Sequence, residues 1–66
     1  MDLREIERAA RAQGFTVGRT NRGHLKFTPA DPTKQIVIAS GTPSDHRALK
    51  NLIAELRRQG FKWPWP

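Results

Sequence analysis

Apolar and polar positions change their spacing along the chain, and each change marks a predicted element. Over residues 2–13, apolar side chains recur every three or four positions, which is the period of a helix with one buried face. Apolar and polar residues alternate over 15–20 and 24–28, as in half-buried strands, and a β-branched run follows at 35–39. Helical spacing returns in the last third of the chain. The pattern therefore predicts two helices flanking three strands.

The ends of these segments carry residues that helix caps and turns require. Asp2 is a good N-cap, and Glu5 stands at the capping-box spacing from it. Gly14 supplies the stop of this helix. Residues 20–23 have turn composition, and because they separate two alternating runs they predict a β-hairpin. The third strand is the richest in β-branched residues, which predicts that it is the best-covered strand of the sheet.

The second helix is predicted to start in the segment after the third strand. Thr42 is placed to act as N-cap, with Pro43 at the first helical position and Asp45 at the third. The helix then runs to about Gln59 and ends at a glycine. The remaining tail, residues 61–66, contains both tryptophans of the chain and cannot be helical. The tryptophans are interpreted as covers for a small core rather than as platforms for stacked bases.

Together these elements predict an α+β domain in the order α-β-β-β-α. Short turns join the strands, so they are expected to form one three-stranded antiparallel sheet. Two amphipathic helices would pack on one face of that sheet and leave the other face to water or to a ligand. With 66 residues, the chain is a single domain, 1–66, near the lower size limit for an independent core. It is too small for a dinucleotide fold or for a cleft between domains.

Composition and charge narrow the classes of function. The absence of cysteine excludes disulfides and thiolate metal sites, and two histidines are too few for a structural zinc site, so no metal or cofactor is expected. No apolar run spans a membrane and no signal peptide is recognisable, so a cytoplasmic location is expected. Twelve Lys and Arg against six Asp and Glu give a net charge of +6. Arg outnumbers Lys, and its planar fork suits phosphate, so the expected partner is nucleic acid, RNA in particular.

His24 is the residue best placed for chemistry. By alternation it faces the open side of the sheet, with Lys26 on the same face and Arg19 expected opposite across the hairpin. Arg22 and Gly23 precede it, and at a glycine the backbone can approach a phosphate closely. A histidine can take and return a proton near neutral pH, while cations stabilise charge on a phosphorane. RNA supplies its own nucleophile, the 2′-hydroxyl, so its cleavage would need no metal, whereas DNA would resist.

The same residues also have structural interpretations. Periodicity alone favours His24 as an exposed strand residue, or as one that only hydrogen-bonds a phosphate. His46, early in the second helix, is interpreted as an exposed helix residue. A basic row on the helices is either a solvated face or a stripe that contacts phosphates. It comprises Arg4, Arg8, Arg11, Arg57 and Arg58.

The order of these features resembles the HicA toxins of toxin–antitoxin pairs, and most of all the short HicA-like proteins of actinobacteria and their phages. The resemblance covers about residues 3–61. It comprises a first helix ending in Gly-Phe, a Gly-His hairpin at 22–27, a third strand ending near Ala39 and a closing helix ending in Gln-Gly-Phe. It implies a double-stranded-RNA-binding-domain-like fold, metal-independent cleavage of messenger RNA, and neutralisation by a HicB-type antitoxin that covers the active histidine.

The catalytic histidine of the family lies in a Gly-Ser-His or Gly-Ser-His-His stretch, and by resemblance that role falls on His24 alone. Here the serine is absent, Gly23 directly precedes His24, and Leu25 stands where the second histidine would be. A compact segment, 41–45, replaces the longer stretch that the family has before its last helix. These departures leave the fold assignment intact.

Three functions remain open from the sequence. The first is an RNA-cleaving toxin, an endonuclease in which His24 is the general acid–base and Arg19, Arg22 and Lys26 grip phosphates. The second is a non-catalytic nucleic-acid-binding module of the same fold. The third is a protein-interaction domain, phage-encoded in this interpretation, that binds a host factor through its basic surface or its tail.

Overall fold

The chain folds in the predicted order of elements. The computed structural model describes residues 2–39 and 45–65. The elements are helix α1 (Leu3–Ala12), strands β1 (Thr16–Arg19), β2 (Leu25–Thr28) and β3 (Val37–Ala39), and helix α2 (His46–Arg58). They form an α-β-β-β-α chain of the α+β class, which confirms the predicted fold class.

The strands form one antiparallel sheet in the order β1-β2-β3, with β2 at the centre. Residues directly opposite one another in a sheet share a face, so the register sorts the side chains into two sets. We call the face that packs on the helices the covered face and the other the open face. The central row of the covered face is Val17, Phe27 and Val37, and that of the open face is Gly18, Lys26 and Ile38.

Both helices pack on the covered face, as predicted. Each contributes an apolar stripe to a single buried cluster, which the inward strand residues complete. Ile6 of α1, Phe27 of β2 and Leu56 of α2 are fully buried within it. The other members are Ala9, Ala10, Phe15, Leu25, Val37, Ala39, Leu49, Leu52, Ile53 and Phe61. The helices therefore leave the opposite side of the sheet without a helical layer.

β3 is not the best-covered strand, contrary to the prediction. Val37 and Ala39 are buried on the covered face, but Ile36 and Ile38 expose 49% and 51% of their surface. β3 is an edge strand of the sheet, and its outward side chains lie on the open face. β-branched residues favour strands in buried and exposed settings alike, so their number does not report burial.

α1 begins with the predicted capping box. The Asp2 carboxylate accepts a hydrogen bond from the Arg4 amide at 3.0 Å, and the Glu5 carboxylate accepts one from the Asp2 amide at 3.0 Å. The bond from the Arg4 backbone lowers the pKa of Asp2, because it favours the ionised carboxylate. The stabilisation that this cap gives is therefore present above the ordinary Asp pKa and is lost as the pH falls through the lowered value.

α2 begins later than predicted. Its N-cap is Asp45, whose backbone is extended and whose carboxylate accepts a hydrogen bond from the Arg47 amide at 3.2 Å. The prediction gave the cap to Thr42 and placed Asp45 inside the helix. Aspartate caps at least as well as threonine, and its charge also complements the helix dipole, so Asp45 takes the role. Thr42 and Pro43 themselves lie outside the described residues.

Both helices end in the same way, at a repeated Gln-Gly-Phe sequence. In each, the glycine has φ +94°, and the amide of the following phenylalanine donates to a carbonyl five residues earlier: Phe15 to Ala10 and Phe61 to Leu56. This is the Schellman arrangement, which needs a left-handed glycine. The two phenylalanines then meet edge to face with their ring centroids 6.0 Å apart. The two helix ends are therefore joined through one aromatic contact in the core.

The tail is held against α1 by Gln13. Its side-chain amide donates to the Lys62 carbonyl at 2.8 Å and accepts from the Lys62 amide at 2.7 Å. Beyond this clamp, Trp63 is half-buried and stacks on Phe61 with ring centroids 5.9 Å apart. Trp65 remains 41% exposed. The prediction that the tryptophans cover the core is confirmed for Trp63 and is wrong for Trp65.

Candidate nucleic-acid interface

Residues 20–24 join β1 to β2, and the loop 21–23 within them is closed by bonds between Thr20 and His24 that fix the backbone position of His24. The Thr20 amide donates to the His24 carbonyl at 2.8 Å, and the Gly23 amide donates to the Thr20 carbonyl at 2.9 Å. The Thr20 hydroxyl accepts from the His24 amide at 3.1 Å. Gly23 has φ +82°, the left-handed conformation that closes hairpin loops of this length. Thr20 therefore bonds to both backbone groups of His24. These bonds hold in place the backbone that carries the imidazole.

Replacement of Gly23 by alanine is expected to destabilise the fold by roughly 1–2 kcal/mol, because a Cβ makes the left-handed conformation unfavourable. A Cβ built at Gly23 meets no atom within 4 Å, so the cost lies in the backbone alone. Gly18→Ala is the matched control, since a Cβ there is equally free of contacts and its backbone is ordinary. We expect that variant to be neutral or slightly more stable in urea unfolding followed by circular dichroism. Equal losses in the two variants would contradict this account of the loop.

Lys26 projects from the open face of the sheet, and alternation places His24 on the same side. Leu25, which lies between them, is 2% exposed and points to the covered face, and side chains alternate along a strand. Lys26 therefore leaves β2 on the open side, and alternation places His24, the residue just before β2, on that side as well, about 7 Å away along the chain direction. Lys26 is exposed and His24 is half-buried. One phosphodiester lying along β2 can contact both side chains.

Arg19 does not lie beside Lys26 on the open face, contrary to the prediction. It pairs with Leu25, so its side chain leaves β1 on the covered side, at the end of the strand. Its guanidinium donates to the Gly23 carbonyl at 2.9 Å. The sequence predicts both strands but not their register, and a difference of one residue moves a side chain to the other face. Arg19 therefore braces the hairpin loop, and the open-face cation is Lys26.

The hairpin carries positive charge that no carboxylate within its own segment balances. Residues 16–28 contain Arg19, Arg22 and Lys26 and no carboxylate. Residues 2–12, by contrast, contain three arginines and three carboxylates and so contribute no net charge. An anion is therefore attracted to the hairpin more strongly than to α1.

Arg4 and Arg8 belong to the helical layer and are not brought together with His24. α1 packs on the covered face, so its exposed side and the open face lie on different sides of the sheet. A guanidinium nitrogen of Arg4 is 3.6 Å from the Asp2 carboxylate, and one of Arg11 is 3.8 Å from the Glu7 carboxylate. The arginine row of α1 is therefore best interpreted as a charge-balanced, solvated face.

A groove of about 440 Å³ lies between α1 and the tail. It is lined by Glu5, Arg8, Ala9, Ala12, Trp63 and Trp65. One carboxylate and one guanidinium give it no excess charge, and the carboxylate is already bonded to the amide of Asp2. The groove is aromatic but does not offer the surplus of positive charge that phosphates require.

His46 is the first residue of α2 and is exposed, as predicted. Within residues 2–39 and 45–65, no group of three or more His, Cys, Asp or Glu side chains is arranged to hold a metal ion. In the same ranges, no helix is both long and apolar enough to cross a membrane.

Comparisons with known proteins give no further assignment. No protein-family model, curated protein or solved structure matches the chain.

The periodicity of the sequence does not identify two residues of the open face. Gly18 and Ile38 lie directly on either side of Lys26, as its partners in β1 and β3. A residue's cross-strand neighbours follow from the register, which the alternation of a single strand does not report. The signal available in the sequence was the combination of a glycine within one strand and alternating isoleucines before and within another.

Proposed function

We propose that the protein binds RNA and cleaves messenger RNA without a metal ion, as a HicA-like toxin with His24 as general acid–base. The observation that carries the proposal is the position of His24 and Lys26 on a sheet face that the helices leave open. They follow a hairpin loop that carries one cationic side chain, Arg22, and a left-handed glycine, Gly23. Gly23 has no Cβ to obstruct a phosphate that approaches the loop backbone, and Arg22 lies in the same loop.

The reaction is an attack of the 2′-hydroxyl on the adjacent phosphorus. His24 accepts the hydroxyl proton as the bond from the 2′-oxygen to phosphorus forms and the bond to the 5′-oxygen breaks. The protonated imidazole then returns the proton to the leaving 5′-oxygen. Lys26 and Arg22 stabilise the charge that develops on the phosphorane. The products are a 2′,3′-cyclic phosphate and a 5′-hydroxyl, so the atoms balance without water or metal.

The HicA-like resemblance extends the proposal to the protein's surroundings. A HicB-type antitoxin is the proposed protein partner, and it would silence the enzyme by covering His24. The proposed site of action is the cytoplasm, where messenger RNA is available.

A non-catalytic RNA-binding module of the same fold is the second candidate. It is favoured by the composition of the open face, where His24 is the only imidazole or carboxylate among the described strand residues and the residue leading into β2. With one such group, a single histidine must serve as both base and acid. In the non-catalytic function, His24 only donates a hydrogen bond to a phosphate.

Incubation of the purified protein with RNA in excess EDTA tests the proposal against this alternative. We expect cleavage that persists in EDTA, with a 2′,3′-cyclic phosphate on one product and a 5′-hydroxyl on the other. An RNA with 2′-O-methyl groups should bind and stay intact, because its nucleophile is blocked. Cleavage that EDTA abolishes, or products with 3′-hydroxyl ends, would contradict the mechanism. Binding without any cleavage would leave the non-catalytic module.

A further inference from the structure

Ile36 and Ile38 form an apolar strip beside the cation of the open face. Ile38 is the direct cross-strand neighbour of Lys26. Ile36 is the residue just before β3, where alternation places it on the same side as Ile38. Cβ atoms of direct cross-strand neighbours lie about 5 Å apart. Each isoleucine exposes about half of its surface, 49% and 51% respectively. The apolar strip and the positive charge therefore belong to one continuous surface.

The core does not require this strip. The buried side of β3 is supplied by Val37 and Ala39, which pack into the apolar cluster. On the other side of Lys26, Gly18 presents bare backbone, and a Cβ built there meets nothing within 4 Å. The open face thus offers a flat floor with one cation at its centre and aliphatic side chains along one edge.

We propose that Ile36 and Ile38 seat the unpaired bases of a single RNA strand whose phosphates contact Lys26 and Arg22. This rests on the proposed function and names the form of RNA that the site takes. A single strand leaves its bases unpaired, so that they can contact apolar side chains while its phosphates meet cations. A duplex presents its phosphates and sugars on the outside. These polar groups would displace water from the two isoleucines without giving them apolar contact. The site therefore selects unpaired RNA.

Charge complementarity favours this occupant over a second copy of the chain. Two copies that met at their open faces would bring Lys26 and the cationic hairpins together, with a net charge of +6 on each chain. An RNA strand supplies negative charge at each phosphate and an apolar base surface at each nucleotide. Its phosphates would pair with the cations while its bases cover the exposed isoleucines.

The test compares binding of short 2′-O-methyl oligouridylate with binding of an abasic oligonucleotide of equal length and charge. Neither ligand can be cleaved, so binding is measured apart from catalysis. Ile38→Ala is expected to weaken binding of the oligouridylate about fivefold, as removal of an aliphatic contact implies, and to leave the abasic affinity unchanged. Lys26→Ala should weaken both ligands equally, since both carry phosphates. Trp65→Ala, a substitution of an exposed apolar residue in the tail, should change neither affinity.

The outcomes separate this inference from the proposed function. An equal effect of Ile38→Ala on both ligands, or no effect, overturns the proposal that the isoleucines contact bases and leaves the nuclease proposal standing. If Ile38→Ala weakens only the oligouridylate and the unmodified protein never cleaves RNA, the contact between isoleucines and bases is supported and the nuclease proposal is overturned. Failure of the unmodified protein to bind either ligand at low salt overturns both. A duplex that binds as tightly as the single strand overturns the preference for unpaired RNA.

Discussion

Replacement of His24 by alanine is expected to reduce RNA cleavage in EDTA by ~10²–10⁴-fold, the usual contribution of a positioned acid–base group. RNA binding should be largely kept, because the cations that contact phosphate remain and Thr20 bonds only to backbone groups of His24. The hairpin geometry therefore survives the substitution. Initial cleavage rates and affinities measured on the same preparations separate the two effects.

His46→Ala is the matched control for this experiment. It removes the other histidine of the chain, which is exposed at the start of α2. We expect its cleavage rate to equal that of the unmodified protein. If both variants lose activity equally, or if neither does, His24 is not the acid–base group. In cells, we expect the unmodified protein and the His46→Ala variant to arrest growth. The His24→Ala variant should not arrest it.

Replacement of Phe27 by alanine is expected to cost about 3–5 kcal/mol, the range for a buried aromatic residue whose loss leaves a cavity. Phe27 is fully buried at the centre of β2, between Val17 and Val37 on the covered face. A domain of this length has roughly 3–10 kcal/mol of total stability. The variant should therefore be largely unfolded or close to it, as urea titration and far-ultraviolet circular dichroism at neutral pH would show.

Ile38→Ala tests the opposite face of the same sheet. Ile38 exposes about half of its surface and lies outside the buried cluster, so its removal should change stability by less than about 1 kcal/mol. A loss comparable to that of Phe27→Ala would mean that the open face is covered in solution. That result would contradict the division of the sheet into a covered and an open face.

The elements were predictable because their signals are local. The capping box of Asp2 and Glu5, the helical periodicities and the turn at 20–23 each depend on residues close in sequence. The start of α2 was wrong because two good capping residues, Thr42 and Asp45, stand three positions apart, and the prediction did not weigh the stronger capping and the charge of Asp45.

The candidate site was only partly predictable because it depends on register. His24 and Lys26 share a strand, so alternation alone places them on one face. The face of Arg19 depends on how many residues close the hairpin, and the exposure of Ile38 depends on which side of β3 meets the helices. Gln13 shows the same limit, since it clamps Lys62 across forty-nine positions of sequence. Tertiary contacts of this kind leave no periodic signal.

Backbone amide chemical-shift mapping with a 2′-O-methyl RNA tests whether RNA lies on the open face against the cationic hairpin. We expect the largest changes at Gly18, Lys26 and Ile38 and at residues 21–24, with small changes along α1. Changes concentrated on α1 and around Trp65 would contradict this expectation, because they would place RNA in the helical layer, on the other side of the sheet from His24.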